Sequence, residues 1–483
     1  MPQLRDSGTR SLHATEPVPS AEMDGFCRIF GVETEYGVAV TGAERPVDAG
    51  QVAMTMFQPI VSRSRSTNTY LANGSRLYLD VGSHPEYATA EAREALAQDL
   101  AGEHVMRNLA LKAQRKLRES YGAHATIHVF KNNVDSAGHA FGCHENYLVR
   151  RFVPLETIEH QLLPFLITRQ LYTGAGRMTP DGFQITQRAD FLDEAVSSAT
   201  TRSRPMVNTR DEPHADPDSF RRLHVIIGDS NRSQWSTWMK LAVTHLVLCA
   251  IEDAFRHGVP SGFEQYAFAD PAAANRTVSR FLDNPRAELT LESGESVSAL
   301  GLQRRYYAAV KAFIETHGDA LAGSLPATTI DTIMGEWSRV LDALERGAYD
   351  ALADRVDWAA KKRLFDALKR RRPDVTFAQM EQLELDYHDI ANGRLYGSLV
   401  ARNQMRELLT GDNVEYAVHN PPTDTRAALR GRFVDAALNV GAQFSADWTH
   451  LALTAPERRE AILLDPFEAE PTLGFEQLME ALN

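Results

Sequence analysis

The sequence predicts an α+β fold in which strands with one polar face form a sheet backed by helices. Two stretches near the N-terminus alternate between apolar and polar residues, as strands with two unlike faces do. Within Ser75–Glu91 the apolar positions are Leu77, Leu79 and Val81, and the polar positions are Arg76, Tyr78 and Asp80. The stretch that follows, Thr89–Tyr121, is rich in alanine and leucine, which favour a long helix.

The polar face of this strand differs from an ordinary solvated surface. It carries a cation, a phenol and a carboxylate, and a Gly-Ser-His-Pro turn and Glu86 follow directly. A solvated edge strand usually mixes lysine, threonine and serine on its exposed face. We therefore interpret the Ser75–Glu91 face as the floor of a polar site, with a solvated strand as the alternative.

A second strand, Arg28–Val40, repeats the pattern with two carboxylates. Glu33 and Glu35 share one face and are flanked by residues too small to cover them. Like charges this close should raise both pKa values unless a cation lies between them. Carboxylate oxygens are also the ligands that Mg²⁺ prefers, commonly shared with nucleotide phosphates. The pattern favours a metal or phosphate–metal site, and a solvated face that tolerates glutamate remains the alternative.

The rest of the chain is predicted to alternate between strands and helices and then to become mainly helical. A leader at 1–24 is expected to be disordered, residues 25–408 to form the catalytic domain, and 409–483 to form a small C-terminal domain that contains Trp448. One helix, Trp358–Arg372, is strongly basic; it is either a solvated helix end or a surface for an acidic partner. The predicted elements are helices Asp48–Val61 and Pro154–Thr173, strands His124–Phe130, Phe183–Arg188, Met206–Arg210 and Leu223–Asp229, another strand from Gly142, and a loop-like Pro260–Leu302 with one hairpin.

Composition excludes several classes of protein. The formal net charge of −13 argues against nonspecific nucleic-acid binding, which needs a basic surface. Three cysteines without a CxxC pair predict neither a disulfide framework nor a zinc site, and suit a cytoplasmic protein. The leader has no apolar segment like that of a signal peptide, and the most apolar predicted helix is too polar to span a membrane.

Common catalytic motifs are also absent, among them the GxxxxGK[ST] phosphate loop, GxGxxG, GxSxG and HExxH. Cys143 and His144 are adjacent, but neighbours on a strand point to opposite faces and cannot pair as nucleophile and base. His144 and His224, on later strands, are weaker candidates for the site. The residues alone thus favour ATP- and Mg²⁺-dependent chemistry on a carboxylate, without naming its substrate.

Four long motifs stand out in the chain: Gly31–Gly37, Asn73–Glu91, Phe130–Tyr147, and Ser197–Pro205 with His224–Asn231. Together they closely resemble the Pup ligases of actinobacteria, also called proteasome accessory factor A. This family includes the Pup deamidases and is related to glutamine synthetase and the carboxylate–amine ligases. The resemblance implies a glutamine-synthetase-like large domain with a curved, mainly antiparallel sheet, plus a small C-terminal domain.

The resemblance also implies a reaction and roles for residues. ATP would phosphorylate the side-chain carboxylate of the C-terminal glutamate of Pup, a small, acidic, disordered modifier. A lysine of a target protein would then attack, and the isopeptide bond would mark that target for the proteasome. Asp80 matches the family's catalytic base, Glu33, Tyr78 and Glu86 match magnesium-site positions, and Arg76, Thr89 and Trp448 match ATP-contacting positions; Glu35 is added as a metal ligand on strand geometry.

The chief alternative is the sister enzyme, the Pup deamidase or depupylase, which carries a long extra loop after its corresponding first strand. Here only 35 residues separate Gly37 from Asn73, so there is room for the short helix and little else. A noncatalytic Pup-binding protein of the same fold is the third possibility. The facing carboxylates and Asp80 argue against it, because a scaffold gains nothing from like charges held together.

Overall fold

The structure is a computed structural model that describes residues 26–64, 66–79, 84–135, 137–198, 204–455 and 458–482. The predicted leader therefore lies outside the described residues. In the described ranges, no helix combines the length and the apolar character that crossing a membrane requires.

An eight-stranded sheet forms the centre of the fold. Its strand order is β10-β11-β12-β7-β1-β5-β4-β3, and every neighbouring pair is antiparallel except β10 and β11, which are parallel. The α+β class and the mainly antiparallel sheet are confirmed. The strands are β1 (Phe30–Glu35), β2 (Gly37–Thr41), β3 (Asn68–Tyr70), β4 (Arg76–Leu79), β5 (Pro85–Ala88), β6 (Thr126–Phe130), β7 (Cys143–Arg150), β8 (Arg177–Thr179), β9 (Gly182–Gln184), β10 (Glu194–Ser197), β11 (Pro205–Asn208), β12 (Phe220–Val225), β13 (Glu288–Thr290), β14 (Ser296–Ser298), β15 (Phe444–Ala446), β16 (His450–Leu453) and β17 (Arg459–Ile462).

Fourteen α-helices lie within the described residues. They are α1 (Ala49–Ser64), α2 (Leu96–Tyr121), α3 (Leu155–Thr168), α4 (Gln170–Thr173), α5 (Gln234–His257), α6 (Pro271–Ser279), α7 (Ala299–Leu321), α8 (Ile330–Glu345), α9 (Asp357–Arg371), α10 (Phe377–His388), α11 (Leu395–Ala401), α12 (Gly411–His419), α13 (Ala427–Val440) and α14 (Leu473–Glu480). Short 3₁₀ turns lie at Ala189–Phe191 and Tyr349–Leu352.

The sheet buries one face in two hydrophobic clusters. Val32, Tyr147 and Leu223 belong to the larger one, which packs against helices such as α3 and α5. Leu77 and Tyr87 belong to the second, which lies against α1 and α2. The other face carries the polar residues of the same strands, as strict alternation requires. Tertiary packing thus leaves one face of the sheet for chemistry.

Several predicted elements have different bounds in the structure. The strand predicted over Phe183–Arg188 ends at Gln184 as β9, and the helix predicted over Pro154–Thr173 divides into α3 and α4. Three further differences have a clear cause. The Arg28–Val40 strand divides at the buried Tyr36, because β1 pairs with β5 and β7 whereas β2 pairs with β6. The helix predicted from Thr89 begins only at Leu96, since the Thr89 N–H donates to the carbonyl of Val32 and keeps the chain extended. The segment predicted as loop contains α6, which an Asp270 side chain caps at its N-terminus, as well as the expected hairpin β13–β14.

The basic helix predicted over Trp358–Arg372 is α9, and it is not a uniform charged surface. Lys361 is buried and donates to the carbonyl of Gly176, to Glu384 and to His388. Lys362 pairs with Asp366 four residues on, and only the C-terminal end from Lys369 is fully exposed. Lys361 therefore stabilises the fold and is unavailable to an acidic partner.

The C-terminal part of the chain has a hydrophobic cluster of its own. Residues of α13, α14 and the three-stranded sheet β15-β16-β17 form it together with Tyr70 from β3. By contrast, Val414 of α12 packs with Leu96 and Leu100 of α2. The division at residue 409 stays a prediction, and the contacts of Tyr70 show how closely this part adjoins the main sheet.

Replacing Leu77 with alanine should lower the free energy of unfolding by about 2–5 kcal/mol, because a fully buried side chain of the second cluster is lost. Urea denaturation followed by circular dichroism measures the change. Leu473→Ala is the matched control, since that leucine is 71% exposed and its loss should cost less than about 0.5 kcal/mol. Equal effects of the two substitutions would contradict this assignment of the core.

Candidate active site

The polar face of the sheet brings two rows of predicted site residues together. Across β1, β5 and β4, Glu35 lies opposite Glu86 and Glu86 opposite Tyr78. In the neighbouring row, Glu33 pairs with Ala88 and Arg76 also pairs with Ala88. Residues directly opposite on antiparallel strands have Cβ atoms about 4.5–5.5 Å apart. The sequence pattern of two polar strands therefore produces one continuous site, although the two strands are separated by β5.

Tyr78 and Glu86 form one unit of this site. The phenol of Tyr78 donates a short hydrogen bond to the buried carboxylate of Glu86. Burial, together with the charges of Glu33 and Glu86, raises the pKa of Tyr78, so the phenol stays protonated. The guanidinium of Arg76 lies over the Tyr78 ring at 4.2 Å and donates to the Asn68 side chain at 2.8 Å. Arg76 thus holds the ring that orients Glu86.

Glu33 is the centre of the second unit, which extends over β7 and β12. His144 Nδ1 donates to Glu33 Oε2 at 3.2 Å, and Asn146 Nδ2 donates to Glu33 Oε1 at 3.2 Å. Arg222 lies 3.6 Å from Glu33 and donates to the Asn146 side chain at 2.7 Å. His224 Nε2 lies 3.7 Å from Glu33 Oε2. One carboxylate is thereby surrounded by donors from two neighbouring strands.

These neighbours decide the ionisation of the unit. Burial opposes the charge of Glu33, but the hydrogen bond from His144 and the charge of Arg222 outweigh it and lower the pKa of Glu33. The pKa of Glu33 is therefore lowered rather than raised, because the cation Arg222 lies 3.6 Å from it. Burial lowers the pKa of His224 to about 3, with His144 and Arg222 acting in the same direction. A neutral imidazole is the form that ligates metals.

Glu33, His144 and His224 are arranged so that they could hold a metal ion. One ligand atom of each lies within 4.8 Å of the others. His224 Nε2 is buried and has no hydrogen-bond partner among the described residues, which is costly unless a ligand completes it. Glu35 is close by: a Cβ built on Gly142 would meet both His144 Nε2 at 2.4 Å and Glu35 Oε1 at 2.8 Å.

Glu33 lines a pocket that also contains two of the three residues predicted to contact ATP. Thr89 and Trp448 both line it, together with Asn146, His214 and Arg222. The Thr89 hydroxyl accepts a hydrogen bond from the Val32 N–H at 3.0 Å, which joins β5 to β1. Arg76 is absent from this lining and lies over Tyr78 instead.

Asp80, the predicted base, lies outside the described residues. The described part of β4 ends at Leu79, whose side chain packs toward the second cluster. The role of Asp80 therefore stays a prediction from the sequence.

Two residues of the site were missed in the sequence. Asn146 has the same strand parity as His144, and Arg222 has the same parity as His224, so alternation along β7 and β12 is the signal that places them. Cys143 lies on the opposite, buried face with its sulfur 4.0 Å from Lys240 Nζ. The expectation that Cys143 and His144 do not pair is confirmed.

Comparison with known sequences identifies close relatives over the full length. A sequence model of the Pup-ligase protein family matches residues 28–452. The Pup–protein ligase of Bifidobacterium longum strain NCC 2705 is 99% identical over 486 residues, and the match covers 100% of both chains. The Pup–protein ligase of Bifidobacterium dentium is 63% identical over 487 residues, again with 100% of both chains covered.

Two solved structures are similar to this fold. The complex between the prokaryotic ubiquitin-like protein Pup and its ligase PafA matches with a TM-score of 0.85 and 37% identity, covering 96% of this chain and 93% of that chain. The Pup ligase PafA in complex with ADP matches with a TM-score of 0.77 and 36% identity, covering 92% of this chain and 97% of that chain.

Proposed function

The chain belongs to the Pup-ligase family, and from that premise we propose that it joins Pup to lysines of target proteins at the expense of ATP. The single observation that carries the proposal is the Glu33-centred polar face beside the pocket of Thr89 and Trp448. A carboxylate-rich face beside a pocket lined by two predicted ATP-contacting residues suits phosphoryl transfer to a carboxylate. The ADP complex of a 36%-identical ligase supports ATP as the phosphoryl donor.

The first half of the proposed reaction activates Pup. The side-chain carboxylate of its C-terminal glutamate attacks the γ-phosphorus of ATP, and ADP leaves with the electrons of the broken bond. The acyl phosphate so formed has the leaving group that a carboxylate lacks. Arg222 lies 3.6 Å from Glu33 and Arg76 lies over the Tyr78 ring, and their guanidinium groups suit the negative charge of the transferred phosphoryl group.

The second half transfers the acyl group to a lysine. At pH 7 a lysine amine is almost wholly protonated, which corresponds to about 4–5 kcal/mol against the neutral form. We assign the removal of that proton to Asp80 as the amine attacks the acyl carbon and phosphate leaves. The products are an isopeptide bond and inorganic phosphate, so the proton and the leaving group are both accounted for.

The carboxylate donors of this chain fit Mg²⁺, which prefers oxygen ligands. The carboxylates of Glu33, Glu35 and Glu86 share one sheet face, and beside Glu33 lies the buried His224 Nε2, which has no hydrogen-bond partner among the described residues. We assign these side chains, with His144, as the residues that would hold the ion. We also assign Tyr78 to this site, where its hydrogen bond would orient Glu86. When bound, the ion supplies charge neutralisation on the phosphates.

The proposed partners follow from the reaction. They are Pup, lysine-bearing target proteins and, indirectly, the proteasome that degrades the conjugates. We place the reaction in the cytoplasm, since the sparse cysteines suit a reducing compartment.

A single assay tests the proposal: purified protein, ATP, Mg²⁺, a Pup that ends in glutamate, and a lysine-bearing protein. A covalent conjugate that requires every component, and the release of ADP, is the expected result. If the protein instead deamidates a Pup that ends in glutamine and forms no conjugate, the sister activity replaces the ligase. If it binds Pup and does neither, the chain is a noncatalytic Pup-binding protein.

A further inference from the structure

A buried ion-pair network joins helix α13 to the segment that follows β5. Glu91 lies two residues after Thr89, and its carboxylate accepts hydrogen bonds from Arg426 Nε at 2.8 Å and from Arg430 Nη1 at 3.1 Å. Both arginines are at most 2% exposed. Burial opposes the charge of Glu91, but Arg430 and Arg426 lower its pKa to about 2. The network is therefore fully charged in the folded protein at neutral pH.

Arg430 also binds groups that have no part in charge neutralisation. Its Nε and Nη2 donate to the carbonyl of Gly74 at 3.0 and 2.8 Å, and its Nη1 donates to the carbonyl of Trp448 at 3.3 Å. Its guanidinium lies 4.9 Å from the Trp448 ring and 5.4 Å from the Tyr70 ring, and those two rings meet edge to face. One side chain thus holds Trp448 through both its backbone and its ring.

The contact between helix α13 and the β3–β4 turn leaves little room for either backbone to move. Gly74 has a positive φ of 80°, and a Cβ on it would lie 3.1 Å from the Ala427 carbonyl. A Cβ on Gly431 would lie 2.4 Å from the Ala72 carbonyl. Helix α13 and the β3–β4 turn therefore approach as closely as two backbones without side chains allow. Arg426 connects this contact to the pocket, because it donates to the backbone carbonyl of His214, and His214 and Trp448 both line the pocket.

We propose that Arg430, paired with Glu91, is a positioning residue that holds Trp448 against the nucleotide pocket. Nucleotide affinity then depends on the position of helix α13, which carries Arg430. The inference rests on the proposed function, because it takes the pocket of Thr89 and Trp448 to be the ATP site. A ring that is already ordered loses less side-chain freedom when the nucleotide binds, and preorganisation of this kind raises affinity. Arg430 contacts neither the reacting carboxylate nor the Glu33 unit, so its loss should weaken binding more than the chemical step.

Substitution of Arg430 by lysine tests the role directly. Lysine keeps the charge but loses the planar fork that reaches Glu91, Gly74 and Trp448 together. We expect the Kd for ADP, measured by isothermal calorimetry in Mg²⁺, and the KM for ATP to rise at least tenfold. The kcat at saturating ATP should change less than threefold. A purely structural role would lower the amount of folded protein without separating KM from kcat.

Arg232→Lys is the matched control. Arg232 also pairs with a carboxylate, Glu103 at 3.0 Å, and lies 4.5 Å over an aromatic ring, that of Tyr396, but it is absent from the pocket lining. Its substitution should leave the Kd for ADP unchanged. Tyr70→Leu serves as the second variant, since it removes a ring that contacts Arg430 and Trp448 while every charge stays paired. It should weaken ADP binding about threefold or more, in the same direction.

The outcomes separate this inference from the function on which it rests. If the unaltered protein fails to bind ADP, the proposed nucleotide pocket is wrong. If it binds ADP and the Arg430→Lys and Tyr70→Leu proteins bind it equally well, the positioning role alone is wrong. An equal loss of affinity in Arg232→Lys would also overturn the inference, because the effect would then be general destabilisation.

Discussion

Replacing Glu33 with glutamine should reduce the rate of Pup conjugation at least about 100-fold, since the substitution removes the charge around which the site is built. Glutamine has nearly the same shape but no negative charge for His144, Arg222 and His224. If Glu33 is a metal ligand, the Mg²⁺ concentration that gives the half-maximal rate should also rise. Conjugation rates measured over a range of Mg²⁺ concentrations test both expectations.

Glu292→Gln is the control for the Glu33 substitution. Its side chain is 61% exposed and makes one 3.4 Å contact with His160, so the same chemical change there should leave the rate within about twofold. Thermal melting of both variants separates lost chemistry from lost folding. A Glu33→Gln protein that conjugates within threefold of the parent would show that this carboxylate is dispensable and that the metal is held elsewhere.

Replacing Asp80 with asparagine should lower the rate of lysine transfer by about 10²–10⁴-fold, the range that a positioned general base contributes. Asparagine cannot accept the proton that the lysine amine must lose. The activation of Pup should continue, because that half of the reaction moves no proton to Asp80. Conjugate formation and ADP release, measured in the same reaction, distinguish the two halves.

The acceptor amine provides the sharpest control for Asp80. Hydroxylamine is already neutral at pH 7 and needs no base, so the Asp80→Asn protein should transfer activated Pup to hydroxylamine nearly as fast as the parent does. If hydroxylamine transfer falls as far as lysine transfer, Asp80 acts on the phosphoryl step or on the metal, and its assignment as base is wrong.

Local alternation was enough to predict the polar face. The alternation of Arg76 and Tyr78 with Leu77 predicts a strand with one buried side. In the structure Leu77 lies in the core, and the Tyr78 hydroxyl donates a hydrogen bond to Glu86. The same parity placed Glu33 and Glu35 on one face of β1. These predictions succeed because a strand alternates its side chains with a period of two, whichever strands lie beside it.

Parts of the prediction failed where the backbone pairs with distant chain. The sequence after Thr89 favours a helix, yet the Thr89 N–H donates a hydrogen bond to the Val32 carbonyl. The helix begins seven residues later, at Leu96. The sequence places Lys361 in a basic helix, yet in the structure its side chain is buried and donates to Glu384 and to the Gly176 carbonyl. Propensity and composition describe a residue's own segment, and long-range partners overrule them.

The sequence by itself determined the α+β class, the polar faces of β1 and β4, and, through its long motifs, the family. Only the tertiary structure decided that Glu33 lies among His144, Asn146, Arg222 and His224. It also decided that Trp448 lines the pocket and that Arg430 contacts both Trp448 and Glu91. The physical reason is the register of strands: β7 and β12 are more than a hundred residues from β1, and hydrogen-bonded pairing alone brings their polar rows beside it. A periodic pattern specifies which way a side chain points, whereas pairing specifies what it meets.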